Sequence, residues 1–326
     1  MTTVATLPTF ADLQAAAGRL QGVARRTPVL EAEALNALTG GRILVKAEAL
    51  QRTGSFKFRG AFNTISQIAA EAVVAYSSGN HAQGVAAAAR LLGKQATIVM
   101  PADAPAIKLE STRAQGAEIR LYDRERESRE EIGAGIAAQT GAALIKPYDD
   151  PRIIAGQGTA GLELAEQAAE LGAPLDAALI PCGGGGLIAG CGLALADRCP
   201  GIEILAVEPA AFDDTRRSLA AGGRVANRPG GRSICDALLA PLPGELTFEL
   251  NRRQLAGGLA VEDQDVRRAM AFAFRHLKLV VEPGGAVGLA ALLAGGFEAR
   301  GRTVALVLSG GNVDPERFAE ALGAAS

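Results

Sequence analysis

Lys57 is the residue of this sequence with the clearest capacity for covalent chemistry. It lies between Phe56 and Phe58, next to Ser55 and its flanking glycine. An ordinary surface lysine stays protonated, whereas desolvation by Phe56, Phe58 and Phe62 favours the neutral amine that attacks a carbonyl. Such a lysine can hold an aldehyde cofactor as a Schiff base. The alternative interpretation is a lysine whose aliphatic stem only covers the start of a helix.

Three further turns of small residues each follow an apolar, strand-like run. They are Ser77–His81, Gly183–Gly186 and Ser309–Asn312. Ligands of open parallel sheets bind beyond the carboxyl ends of the strands, where strand-to-helix turns gather. The three turns and the Lys57 segment are therefore expected to form one site.

The glycine turn has three interpretations. Its four residues are Gly183, Gly184, Gly185 and Gly186. Unshielded N–H groups and the following helix N-terminus would form a cradle for a phosphate. The same stretch, with Ala189 and the acid Glu208, also satisfies a loose dinucleotide pattern, which favours a nicotinamide-binding oxidoreductase. Glycines that merely permit close packing of strand and helix are the third interpretation.

The serine-asparagine turn can bind a carboxylate or cap a helix. Ser77, Ser78 and Asn80 precede a predicted helix, and each is a good N-cap residue. With His81 and the helix N-terminus, the same hydroxyl and carboxamide donors would also suit a carboxylate.

The composition is that of a globular protein with a small-molecule ligand. The chain has 326 residues, 48% hydrophobic and 21% charged, with a net charge of -2. This balance argues against nucleic-acid and membrane-surface partners. The four cysteines lack metal-ligand spacing, and no targeting or membrane-spanning segment is evident. Reduced thiols and a cytoplasmic location are expected.

Apolar β-branched runs alternate with helical stretches, a pattern that predicts an α/β fold with parallel strands. We expect two open, mostly parallel twisted sheets with flanking helices. Residues 53–148 would form a small substrate-closing domain, and residues 1–52 and 149–326 a large cofactor-binding domain. Predicted strands are Ile43–Lys46, Ala72–Tyr76, Ala96–Met100, Glu118–Leu121, Ala142–Ile145, Ala177–Pro181, Glu203–Val207 and Thr303–Leu308. Predicted helices are Arg59–Ile68, His81–Leu92, Pro105–Gln115, Arg124–Gln139, Pro151–Leu171, Leu187–Asp197, Asp263–Leu277 and Gly285–Leu293.

In this order, the motifs resemble those of the serine/threonine dehydratase and serine racemase family. These are pyridoxal-phosphate enzymes of fold type II, similar to the tryptophan synthase β-subunit. The resemblance covers almost the whole chain. It is carried by Thr53–Lys57, Ser77–Gln83, Ala155–Thr159, Cys182–Leu187, Glu282–Pro283 and Ser309–Asn312.

The resemblance implies a role for each residue of the site. Lys57 would hold pyridoxal 5'-phosphate, Phe56 would pack against its ring, and Asn80 would bond its phenolic oxygen. The four glycines would bind the phosphate, and Ser309 would face the pyridine nitrogen. Glu282 would be a further cofactor-binding residue. A hydroxyl opposite that nitrogen makes the ring a weaker electron sink, which favours loss of a β-leaving group.

The implied activity is an ammonia-lyase reaction on L-serine and L-threonine. The implied substrate-binding residues are Ser77, Ser78, Asn80, His81 and Arg129. Ser78 matches a racemase serine that reprotonates the α-carbon, and Arg129 matches an arginine near the substrate side chain. The alternative for Arg129 is one charge on a solvated helix that is rich in both signs. Serine racemase and 3-hydroxyaspartate dehydratase are therefore alternatives. Tyr148 departs from the racemase pattern and favours a dehydratase.

The resemblance also implies a divalent cation, magnesium or calcium, and a homodimer. The ligands would be Glu208, the carbonyl of Phe212 and Asp214, which are oxygen donors that hard cations prefer. The alternative is that Asp213 or Asp214 caps a helix. Nucleotide activation is not expected, because Gln115 replaces an aromatic residue of that pattern. Isoleucine inhibition is not expected, because no separate regulatory domain follows the motifs.

Overall fold

A computed structural model describes residues 6–77, 79–104 and 106–324, which form two separate sheets with helices on their faces. The predicted α/β fold with two mostly parallel sheets is confirmed. The strands are β1 Val29–Leu30, β2 Arg42–Ala47, β3 Ala72–Tyr76, β4 Gln95–Pro101, β5 Glu118–Tyr122, β6 Ala143–Leu144, β7 Ala177–Pro181, β8 Glu203–Pro209, β9 Gly257–Val261 and β10 Thr303–Leu308.

Each sheet is open and contains a crossover. The described part of the larger sheet has the order β1-β2-β10-β7-β8-β9, and only the β1–β2 pair is antiparallel. The last strand of the chain therefore lies between β2 and β7, in the middle of the sheet. The smaller sheet has the order β5-β4-β3-β6, and its strands are parallel.

The helices cover both sheets. They are α1 Phe10–Leu20, α2 Glu33–Thr39, α3 Lys57–Ile65, α4 Asn80–Leu91, α5 Ala106–Ala114, α6 Arg129–Thr140, α7 Pro151–Glu170, α8 Gly186–Arg198, α9 Asp214–Ala221, α10 Glu245–Gln254, α11 Asp263–Phe272, α12 Pro283–Leu293 and α13 Pro315–Gly323. One apolar cluster joins the large sheet to α11 and α12, and another joins its opposite face to α7 and α8. Burial on both faces explains the continuous apolar character of these strands.

The structure differs from the predicted elements mainly at their ends. Helix α6 begins at Arg129 rather than at Arg124, because the hydroxyl of Ser128 accepts the backbone N–H of Glu131 and caps the helix. Helix α11 ends at Phe272 and continues as a π-helical turn, Ala273–Leu277. The edge strand β9 was not predicted because it begins with two glycines, which are poor strand formers.

No helix in the described ranges combines the length and the apolar character required to cross a bilayer. The four cysteines are unpaired thiols.

Candidate active site

A cavity of about 750 Å³ opens at the carboxyl ends of strands from both sheets. It contains nearly every residue predicted for the cofactor and substrate: Phe56, Lys57, Ser77, Asn80, His81, Arg129, Gly183, Gly184, Gly185, Gly186, Glu282 and Ser309. Ser78 lies outside the described residues. The three turns that the sequence places at strand ends and the Lys57 segment therefore meet in one cavity.

Two distant segments of the chain pair to bring Lys57 to Ser309. Ser55 forms an antiparallel bridge with Gly310, and the N–H of Phe56 donates to the carbonyl of Ser309 at 3.2 Å. The N–H of Gly311 donates to the carbonyl of Gly54 at 2.9 Å. These bonds fix the start of α3 against the end of β10.

Lys57 is the first residue of α3, and its amine points at a carbonyl. Its Nζ donates to the oxygen of Pro147 at 2.8 Å and lies 5.2 Å from the centre of the Phe56 ring. Burial lowers the pKa of Lys57 to about 8, although the nearby Glu282 raises it. Phe58 and Phe62 pack in the core of the small sheet, and the ring beside the amine is that of Phe56. The amine is desolvated by its burial in the site.

Asn80 does not cap a helix, which corrects one interpretation of its turn. Gly79 occupies the N-cap position, and Asn80 is the first residue of α4. Its Nδ2 donates to Oε1 of Glu282 at 2.6 Å, and its Oδ1 accepts from Asn312 at 2.7 Å. Both partners lie near the end of the chain, so the carboxamide is held in one orientation toward the cavity.

Two buried groups of the site are shifted toward their neutral forms. Burial and the neighbouring Asp236 raise the pKa of Glu282 to about 8. Burial and the nearby Lys57 lower the pKa of His81 to about 3. His81 Nε2 bonds the carbonyl of Ile145 at 3.0 Å, so this nitrogen carries the proton. Nδ1 is therefore an acceptor, and His81 is not a general acid at neutral pH.

The glycine turn fits closely around Tyr148. A Cβ at Gly184 would lie 2.4 Å from atoms of the Tyr148 ring. Gly185 has a φ of 90°, which side chains rarely adopt, and forms the N-cap of α8. The hydroxyl of Thr247 donates to the carbonyl of Gly184 at 2.7 Å. Helix α10 thus fixes the Gly184 carbonyl through Thr247, whereas the N-terminus of α8 faces the cavity, where an anion can bind.

Replacing Gly184 with alanine is expected to weaken cofactor binding at least about 10-fold and to lower stability by about 1–3 kcal/mol, the usual effect of overpacking. The added methyl group would displace the Tyr148 ring from the turn. Titration of the apoprotein with pyridoxal phosphate, the cofactor that the sequence resemblance implies, measures the affinity. Gly135→Ala, in α6 with no atom within 4 Å of the added carbon, is the control. Equal affinities for the two variants would contradict the predicted fit.

The remaining substrate residues lie at the edge of the cavity. The hydroxyl of Ser77 accepts the N–H of Gly79 at 3.2 Å. Arg129 begins α6, pairs with Glu130 at 2.8 Å and has its guanidinium 5.5 Å from the centre of the Tyr76 ring. Its side chain is 46% exposed, so it can turn toward a ligand.

The predicted cation ligands lie outside this cavity, between β8 and α9. Both oxygens of Glu208 accept backbone N–H groups, from Thr215 at 2.9 Å and Arg216 at 2.8 Å. Glu208 therefore caps α9, whereas Asp213 and Asp214 make no such bond. Asp214 Oδ2 is buried without a partner. No cluster of three His, Cys, Asp or Glu residues suited to a metal occurs in the described ranges.

A family model described as pyridoxal-phosphate dependent enzyme matches residues 20–310. The chain belongs to this family. L-threo-3-hydroxyaspartate ammonia-lyase of Pseudomonas sp is 45% identical over 97% of this chain and 99% of its own length. The T.th. threonine deaminase has a TM-score of 0.89 at 45% identity, over 94% of this chain and 99% of its own. Maize serine racemase has a TM-score of 0.91 at 37% identity, over 98% of both chains.

The family membership confirms several predictions. The fold is that of fold type II enzymes, the cofactor is pyridoxal phosphate, and the chain belongs with the predicted dehydratase and racemase enzymes, since the proteins similar to it are named ammonia-lyase, threonine deaminase and serine racemase. The nicotinamide-dinucleotide alternative is set aside. The cavity fits the cofactor: it offers a lysine of lowered pKa, a glycine turn that excludes side chains, and the neutral Ser309.

Sequence reasoning missed two residues that shape the site. The hydroxyl of Thr247 bonds the glycine turn, and Gln157 contacts both Pro147 and Gly186. Gln157 gave a signal, because it lies within the family motif Ala155–Thr159, whereas the contact of Thr247 depends on long-range packing. Tyr148 was noted in the sequence for the choice of reaction, but its place against the glycine turn was not predicted.

Proposed function

We propose that this protein is an ammonia-lyase of L-threo-3-hydroxyaspartate. The observation that carries the proposal is Arg129, which lines the cavity and offers a guanidinium to a second carboxylate of the substrate. Lys108 and Arg124 line the same cavity, where each pairs with a carboxylate, Asp236 at 2.8 Å and Asp103 at 2.7 Å. The Pseudomonas relative with this name, similar over its full length, supports the same substrate.

Serine and threonine are the second candidate substrates. The neutral aromatic Tyr148, which packs against the glycine turn inside the cavity, favours small side chains without charge. The similarity to the T.th. threonine deaminase supports this candidate. Both candidates share one reaction, in which elimination of water from the substrate is followed by hydrolysis that consumes one water and releases ammonia and a keto acid.

The roles of the residues follow from their positions. When bound, pyridoxal phosphate supplies a ring that withdraws electrons from the substrate α-carbon. Lys57 would hold the cofactor and, once released, take the α-proton, since its lowered pKa allows a neutral amine near pH 8. The N–H groups of Gly183 to Gly186 would hold the phosphate, and Phe56 would pack on the ring. Ser309 would meet the ring nitrogen without protonating it.

The substrate carboxylate would bind at the start of α4. Ser77, Asn80 and His81 lie there around a helix N-terminus, where backbone N–H groups favour an anion. We assign Ser78 to the same turn from the sequence alone. Glu282 would orient Asn80, through the bond of 2.6 Å, toward the cofactor.

The test is an assay of keto acid and ammonia from L-threo-3-hydroxyaspartate, its diastereomers, L-serine, D-serine and L-threonine. Arg129→Met is expected to lower kcat/KM for hydroxyaspartate about 10- to 100-fold, the value of a hydrogen bond to a charged group. Turnover of L-serine should change little, and Arg129→Lys should restore part of the loss. Equal losses on both substrates would contradict the role of Arg129. Faster turnover of threonine than of hydroxyaspartate would favour the second candidate.

We also propose a divalent cation at Glu208, the Phe212 carbonyl and Asp214. Burial, with the like charge of Asp214, raises the pKa of Glu208 to about 8, and burial raises the pKa of Asp214 to about 6. Two buried carboxylates, one with an unpartnered oxygen, suit a hard cation that steadies the large lobe.

Magnesium or calcium is therefore expected to raise the melting temperature more at pH 8 than at pH 5.5. When the pKa of a carboxyl group is higher in the folded than in the unfolded protein, the free energy of unfolding falls as the pH rises from the unfolded-state pKa to the folded-state pKa. The cation offsets this loss, because it binds the deprotonated forms. Asp214→Asn should remove the cation effect. The same cation-dependent rise in this variant would exclude the site.

The domain boundaries, oligomer and location stay predictions. We propose that residues 53–148 form a lobe that closes on the substrate, since β3 to β6 form their own sheet within this range. A homodimer is proposed from the family resemblance, and sedimentation measurements test it. The expected cytoplasmic location is untested.

A further inference from the structure

The carbonyl of Pro147 accepts hydrogen bonds from two side chains. Lys57 Nζ lies at 2.8 Å and Gln157 Nε2 at 3.4 Å from the same oxygen. Gln157 belongs to α7 and is 1% exposed. The carboxamide therefore adjoins the lysine amine, although the two residues are 100 positions apart.

The other end of the Gln157 side chain reaches the glycine turn. Its Oε1 is buried without a partner and lies 2.6 Å from the position that a Cβ at Gly186 would take. Its Cγ lies 3.0 Å from the corresponding position at Gly60, in α3. Gln157 thus fills the point where α3, α7, α8 and the segment after β6 meet, and both glycines are required for it to fit.

An unpartnered buried carbonyl oxygen calls for an explanation, because nearly all buried acceptors in proteins are hydrogen-bonded. The reaction creates a need for such an acceptor. Lys57 must leave its resting position during each turnover and carry a proton for part of it. A desolvated ammonium requires hydrogen-bond acceptors within reach.

We propose that Gln157 is a positioning residue for Lys57: its carboxamide oxygen accepts the lysine ammonium when that group leaves the Pro147 carbonyl. This inference rests on the proposed function for the role of Lys57, but not on the identity of the substrate. The Nε2 group, bonded to Pro147, orients the carboxamide so that its oxygen lies beside the glycine turn. The lysine ammonium would reach this oxygen after it leaves the Pro147 carbonyl.

Two other titratable groups lie close enough to interact electrostatically with Lys57. The Glu282 carboxyl raises the pKa of the lysine, and the lysine in turn lowers the pKa of His81. Neither residue is altered in the variants below, so its electrostatic interaction with Lys57 is the same in each of them.

Two nearly isosteric variants separate an acceptor role from a packing role. Gln157→Met keeps the volume and removes the acceptor, whereas Gln157→Glu keeps an acceptor and adds a negative charge. The first readout uses the apoprotein: the rate of Lys57 acetylation is measured against pH by mass spectrometry of the Lys57 peptide. In wild type the midpoint is expected near pH 8. In Gln157→Glu we expect it to rise by at least about one pH unit, because a carboxylate would lie near the amine.

The second readout is turnover by the holoenzyme on its best substrate. Gln157→Met is expected to reduce kcat about 10- to 100-fold with little change in KM, since small misplacements of a reacting group cost about this much. Gln157→Glu should keep more of the activity, with its pH profile moved to higher pH. Thermal unfolding checks that each variant folds.

The outcomes are decisive for the inference. An unchanged acetylation midpoint in Gln157→Glu would show that the carboxamide does not contact the amine and would overturn the proposal. If Gln157→Met kept the wild-type kcat, Gln157 would have only a packing role, and the proposal would be overturned as well. The acetylation readout needs no substrate, so failure of the proposed hydroxyaspartate activity leaves this test valid.

Discussion

Replacing Lys57 with alanine is expected to lower ammonia-forming activity by at least about 10⁴-fold, the upper end of what a positioned acid–base group contributes. The variant loses both the amine that holds the cofactor and the base for the α-proton. The measurements are keto-acid production and the visible absorbance of the lysine-bound cofactor, which borohydride should bleach in wild type. Neither signal should be present in Lys57→Ala, while its fold remains.

Lys146→Ala is the matched control, because Lys146 is an exposed lysine that does not line the cavity. It should keep wild-type turnover and absorbance. A Lys57→Ala protein that still forms a borohydride-reducible link at full stoichiometry would show that another amine holds the cofactor. The proposed mechanism would then be wrong.

Replacing Arg59 with methionine is expected to lower the free energy of unfolding by about 3–5 kcal/mol, the cost of leaving buried charges unpaired. Arg59 is fully buried and bonds Glu48 through Nε at 2.8 Å and Glu163 through Nη1 at 2.7 Å. Lys46 bonds the same Glu163 at 2.6 Å. Burial alone would lower the pKa of Arg59, but the carboxylate of Glu48 raises it above its usual value. The cluster is therefore ionised, and removal of one cation leaves a carboxylate uncompensated.

Urea unfolding of the apoprotein at pH 7 measures this loss. Arg26→Met is the matched control, because Arg26 pairs with Glu170 at 2.6 Å on the surface, with side-chain exposures of 47% and 61%. Such exposed pairs contribute about 0–1 kcal/mol. Similar losses for the two arginines would mean that burial does not decide the strength of these pairs. Glu48→Gln, which removes charge at the other side of the pair, should also destabilise the protein.

The sequence predicted which turns meet in the cavity, because most of them lie at strand ends. Asn80, the glycine turn and Ser309 each follow an apolar run, and parallel topology brings such ends together. Lys57 lies ten positions after β2 and reaches the cavity through the pairing of Ser55 with Gly310. Glycine is also informative on its own, since Gly184 and Gly185 are at positions where a side chain would clash or strain the backbone. Local patterns of this kind can be recognised in the sequence without any knowledge of how the chain packs.

The misses have a common physical cause, which is dependence on contacts between distant segments. Asn80 has the composition of a helix cap, yet its carboxamide is taken by Glu282 and Asn312, more than 200 residues away. Glu208 caps α9 from the preceding strand, a role that local spacing assigns to Asp213. No periodicity in the sequence reveals the buried partners of Arg59.

The position of β10 has a consequence for synthesis of the protein. This strand is the last in the described chain, yet it lies between β2 and β7 and forms hydrogen bonds with both. Until it leaves the ribosome, β2 and β7 have no partner on the sides that face each other, and Lys57 has no Ser309 beside it. A nascent chain that lacks β10 therefore carries two unpaired strand edges that expose it to aggregation, and its cavity is incomplete.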